Sequence, residues 1–127
     1  MTPFPMIEKA LREYIEEAYP AADGKTGGDP SYVAGADLYV WISLVGGTTD
    51  QIDGSWVVDV DVFAPTYGSA MTHALELEAV LLGPRKTTST LRIDNSYQNE
   101  VPVERPWTDE SVSRVGATYT LTARRSG

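Results

Sequence analysis

Residues 56–82 read WVVDVDVFAPTYGSAMTHALELEAVLL, and this stretch decides the fold. Over Trp56–Phe63 the apolar residues alternate. Trp56, Val58, Val60 and Val62 share one face, and Val57, Asp59, Asp61 and Phe63 share a mixed one, the period of a half-buried strand. The period then changes. From Ser69, an N-capping residue type, to Leu82 the spacing predicts a helix, stopped by Gly83-Pro84. Ala70, Met71, Ala74, Leu75, Leu77, Val80, Leu81 and Leu82 cover more than half its circumference. That predicts a helix buried between the sheet and a second surface.

Upstream, Leu38, Val40, Ile42 and Leu44 alternate with Tyr39, Trp41, Ser43 and Val45, a second strand. The polar, glycine-bounded connection 46–54 makes the pair an antiparallel hairpin with a long tip. Before it, residues 20–37 read as loop, broken by Pro20, Asp23-Gly24, Gly27-Gly28 and Asp29-Pro30. Met6–Tyr19 carries the stripe Ile7, Ala10, Leu11, Tyr14, Ile15, Ala18 and Tyr19 of an amphipathic helix, stopped by Pro20. Downstream, a third strand is expected over Thr88–Asp94, then an irregular segment 94–108 held out of a central ladder by Pro102 and Pro106. A short extended piece at Val101–Val103 fits within it. The last strand, Arg114–Arg124, sets Val115, Ala117, Tyr119, Leu121 and Ala123 against a threonine face that reads as wet or lumen-facing. The expected architecture is a single α+β domain over 1–127, order α-β-β-α-β-β. Its mostly antiparallel four-stranded sheet carries both helices on the core face.

A chain of 127 residues buries roughly two-thirds of its unfolded surface, enough for one core. It has no Cys, which removes disulfides and thiolate metal sites. The first residues show neither a basic nor an apolar signal region, and no apolar run approaches the length of a membrane span, so neither secretion nor membrane insertion is expected. The formal net charge of −8 is uneven: residues 1–83 hold 13 acids and 3 bases, residues 84–127 hold 5 acids and 7 bases. An acidic chain repels nucleic acid at long range, and its asymmetry suits stacking on copies of itself as well as plain solubility.

Chemistry is sparse. Asp59 and Asp61 project from one strand face and could bind a hard cation, as in a small metal-dependent nuclease, but no third carboxylate, Lys or His accompanies them on the strand. The alternative puts them on a solvent- or subunit-facing surface. His73 is the single histidine, with no serine elbow to serve, and it reads as a surface residue near the start of its helix. Neither glycine pair has phosphate-loop spacing. No catalytic residue, metal or cofactor is expected. The aromatic residues exceed what a small core needs and fit a protein interface or a small-molecule site. Trp41 and Trp56 pack across the hairpin or join that surface. Trp107, in a proline-rich segment, reads as an exposed anchor whose loss weakens assembly more than folding.

The 56–82 strand-then-helix resembles the centre of the tail terminator proteins of long-tailed, lambda-type siphophages, especially actinobacterial ones. The Gly46-Gly47 hairpin tip resembles theirs too. So does the ending VGATYTLTARR at 115–125, which follows a proline-rich loop with Asp109-Glu110. The likeness runs from about residue 5 to residue 125, and the 20–37 loop is longer than in compact members. The resemblance implies a ring, typically of six subunits, that caps the head-proximal end of the tail tube and joins it to the head connector. It places the protein in the virion neck, and in the host cytoplasm during assembly. Viral DNA would pass through the ring without specific binding. A head-completion or neck protein of the same plan is the nearest alternative. The interface candidates are Trp107, Tyr97, Trp41, Thr49, Asp50, Gln51, Arg124 and Arg125.

Overall fold

The computed structural model describes residues 6–29, 37–49, 53–87, 92–108 and 111–124. Helix α1 spans Ile7–Ala18 and leads through a 3-10 turn, Pro20–Ala22, to the two-residue strand β1, Thr26–Gly27. The hairpin β2 (Tyr39–Thr49) and β3 (Asp53–Ala64) follows, then helix α2 (Tyr67–Leu81) and strands β4 (Gly83–Thr87), β5 (Arg92–Arg105) and β6 (Ser113–Arg124). The fold is α+β with a mixed sheet in the order β1-β2-β3-β6-β5-β4. Every pairing is antiparallel except β1 with β2.

The four-stranded expectation is corrected in four places. The 46–54 segment is mostly strand: after a bulge at Val45 the ladder continues from Gly46↔Val57 to Thr49↔Gly54. Positive φ at Gly47, with the backbone of Trp56 pressed close, explains the glycine there. The 94–108 segment is not irregular, because β5 runs through it as a 14-residue strand. Pro102 is accommodated where the β5–β6 register skips between Glu100 and Val103, the kind of bulge that tolerates a missing donor. The strand expected at Thr88–Asp94 is split between the end of β4 and the start of β5, with residues 88–91 outside the described residues. Within 20–37, the 3-10 turn and β1 are ordered because Glu16 accepts from the Gly24 amide and the Thr26 hydroxyl, each at 2.6 Å.

One core lies between the sheet and the helices. Leu11 and Ile15 of α1 and Ala70, Leu77 and Leu81 of α2 pack on Val40, Ile42, Val58, Val62, Val115, Tyr119 and Leu121. Each fully buried Leu or Ile of this set contributes about 1.5–3 kcal/mol by leaving water. The α2 N-cap is Thr66, whose hydroxyl accepts from the Ser69 amide at 3.1 Å, so the helix starts two residues before the expected Ser69. Its burial is one-sided rather than all round: Ala70, Ala74, Leu77 and Leu81 are covered, whereas Leu75 is half exposed. Trp56 is a core residue, its ring lying over Gly54. Ala18, counted in the apolar stripe of α1, is exposed.

Candidate functional site

On the face of the sheet away from the helices, strand alternation puts Tyr39 and Trp41 of β2 beside Asp59, Asp61 and Phe63 of β3 and Arg114, Gly116 and Thr118 of β6. The chain covers much of this face with its own long side chains. The Asp61 side chain is 1% exposed, and its Oδ1 accepts from Arg105 Nη1 at 3.0 Å and from Arg114 Nε at 3.1 Å. Arg105 also reaches Glu100 at 2.8 Å and Asp59 at 3.5 Å. Thr118 donates to Asp59 at 2.6 Å. Burial works against the Arg105 charge, but the Glu100 hydrogen bond and the fields of Asp61 and Asp59 outweigh it, and the pKa of Arg105 is raised. Gly116 is required here, since a methyl group at that position would collide with Asp61 Oδ1 and the Arg105 guanidinium.

Aromatic rings extend the cluster. The Arg114 guanidinium lies 5.3 Å from the centroid of Trp41 and 5.6 Å from that of Trp107, a double cation–π contact. Phe63 is fully buried, edge-on to Trp107 at 4.8 Å and stacked on Trp41 at 6.5 Å. Two buried polar atoms, Asp61 Oδ2 and Trp41 Nε1, have no protein partner.

This geometry decides several expectations. Asp59 and Asp61 do not converge as an open metal pair: the first is half-buried and the second is neutralised by two guanidinium groups. Among the described residues no group of three or more His, Cys, Asp or Glu is placed to hold a metal. The threonine face is only partly wet. Thr120 is buried and donates to Asn99 Oδ1 at 2.6 Å. Trp107 is half-buried against Phe63 rather than a free anchor. His73 is likewise not a free surface residue: its Nδ1 lies 2.6 Å from the Tyr19 hydroxyl, which also donates to Glu76. Burial first, and the Glu76 carboxylate second, hold the Tyr19 phenol well above its ordinary pKa. The Tyr19 hydroxyl thus bridges His73 and Glu76.

The interface candidates do not form one patch. Trp41 and Trp107 belong to the aromatic–arginine cluster at the end of the sheet where β2 begins. Tyr97 is exposed on β5 just past the end of β4, on the outer edge of the sheet. Thr49 and Arg124 are near one another at the opposite end, because Thr49 pairs with Gly54 and Gly54 with Ala123. Asp50, Gln51 and Arg125 lie outside the described residues. The reading of the sequence missed Arg105, Arg114 and Gly116. The available signal was two acids on one strand facing an arginine two residues before a glycine on the next.

The outer edges of the sheet are the other notable surface. β1 covers only Val40 and Trp41 of β2, and β4 covers β5 only as far as Ser96. Among the described residues, Ile42–Thr49 and Tyr97–Arg105 each have one strand neighbour rather than two. These same segments carry five of the exposed large apolar residues: Leu44, Val45, Tyr97, Val101 and Val103. No described helix is long and apolar enough to cross a membrane. A scan against protein families and a search of curated proteins give no match.

Proposed function

We propose that this protein is a structural assembly protein, a tail terminator. Its copies join head to tail in a ring that caps the head-proximal end of a phage tail tube and joins it to the head connector. The observation that carries the reading is the pair of apolar, half-paired sheet edges. Open edges invite another strand, and although Glu100, Pro102 and Glu104 blunt the β5 edge in part, both edges keep exposed apolar side chains. Here Val101 is 59% exposed and Val45 54% exposed on opposite edges. Two different edges on one molecule make a heterologous contact, which closes into a ring when the rotation between neighbours allows. The ionic side of the sheet supports the same reading, since its carboxylates are committed to arginines and leave no evident general base.

The test is a pair of edge substitutions, Val101→Lys with Val103→Lys, compared with wild type by sedimentation over a concentration series. Wild type is expected to associate. The variant is expected to stay monomeric with an unchanged melting temperature. Equal association of both proteins contradicts the edge as the joining surface.

A further inference from the structure

Among the described residues the two edges of the sheet are stepped, and the steps are complementary. Strand pairing fixes the directions. β2, β6 and β4 run one way, β3 and β5 the other, and β1 runs with β2. On the β2 side, β1 projects beside the start of β2 and leaves a notch along Ile42–Thr49. On the β5 side, β4 projects beside the start of β5 and leaves a notch along Tyr97–Arg105. The start of β5 lies at the end of the sheet where β2 finishes, since Ile93 pairs with Ala123, Ala123 with Gly54 and Gly54 with Thr49. Each projection is therefore level with the notch on the other side.

We infer that β4 of one copy fills the β2 notch of the next, while β1 of that second copy fills the β5 notch of the first. This inference rests on the self-assembly reading and adds which strands meet. The occupant is a second copy of this chain because both halves of the joint are present on one molecule. Charge agrees. In sequence β4 carries Arg85 and Lys86 and β5 begins at Arg92, whereas β3, the strand beside the β2 notch, begins at Asp53. Opposite charges on the two sides of the joint steer the approach. The β4 pairing would be parallel and the β1 pairing antiparallel. Carried across the ladders, the register sets Gly83 level with Gly47, Lys86 with Thr49, Gly27 with Val103 and Thr26 with Glu104, so the joint would cover the exposed Val103 and close against the neighbouring Leu44, Val45 and Val101.

The absence of native cysteine makes the joint directly testable. Lys86→Cys is combined in one chain with a cysteine introduced in turn at positions 45, 48 and 49, and the proteins are oxidised mildly. β2 and β4 are separated by three intervening strands, so about 19 Å lies between them in one molecule. A disulfide needs Cα atoms within about 7 Å, and any bond formed is between copies. At least one of the pairs is expected to give a ladder of covalent oligomers, at least tenfold more than either single-cysteine parent. Thr26→Cys with Glu104→Cys provides the same readout for the second half of the joint. Oligomers of the wild-type protein without cross-linking of either pair overturn the stepped joint and leave self-assembly standing. A wild-type chain that stays solitary at every concentration overturns both. Cross-linking lost when Arg85→Glu is added, and regained when Asp53→Lys accompanies it, confirms the charge pairing.

Discussion

At the scale of single residues, Asp61 has the most to lose. It holds Arg105 and Arg114 together from a position closed to solvent. Removing one partner of a buried ion pair leaves the other charges desolvated and unpaired, a loss of several kcal/mol. Arg105 keeps Glu100 as a partner, so the expected cost of Asp61→Ala is at the lower end, about 3 kcal/mol. A denaturant midpoint for the variant beside wild type measures it. Tyr119 makes a second, pH-dependent prediction. Burial in the core pushes its phenol up from 10 to about 12; the Glu78 field adds to this and the Gln98 hydrogen bond opposes it. A raised folded-state pKa means that the folded chain holds the proton more tightly. The associated stability is complete below pH 10 and is lost as pH rises towards 12. Thermal melts between those values are expected to fall steeply for wild type and less steeply for Tyr119→Phe.

At the scale of elements, the sequence is most readable where one period holds over a long segment. α1, the core of the β2–β3 hairpin, α2 and β6 each show their own repeat; α1, α2 and β6 are found within two residues of their expected limits, whereas β2 and β3 run three to four residues further into the tip. The hairpin tip and β5 were not legible, for different reasons. Gly46 and Gly47 look like loop residues, yet a bulge lets the ladder pass through them. β5 contains Pro102 and mostly polar residues, and its strand character comes from pairing with β6 rather than from its own pattern. The candidate site was even less legible. The alternation of Asp59 and Asp61 showed that they share a face, but only tertiary pairing shows that Arg105 and Arg114 cover them. The same pairing changes the expectation for Trp107. In the turn between β5 and β6 it packs on Phe63 and on the Arg114 guanidinium. Trp107→Ala is therefore expected to destabilise folding by about 2–3 kcal/mol, less than the 3–5 kcal/mol typical of a fully buried aromatic residue. Chemical denaturation checks it, and a change below 0.5 kcal/mol would return Trp107 to the role of a free anchor (a limit of the order expected for surface substitutions).

At the scale of the whole molecule, two surfaces with different tasks share one sheet. Its helix side is a conventional apolar core. Its other side is closed largely by the chain's own arginines, aromatics and threonines, and among the described residues its margins are left open. A domain that folds alone gains nothing from exposed valines on two opposite edges, but a ring subunit does, because each edge is covered once the neighbours arrive. The most direct measurement is electron microscopy of the purified protein, alone and mixed with phage tail tubes. The account predicts closed rings, seated at one end of each tube. Isolated single copies in both samples, with bare tube ends, would contradict it.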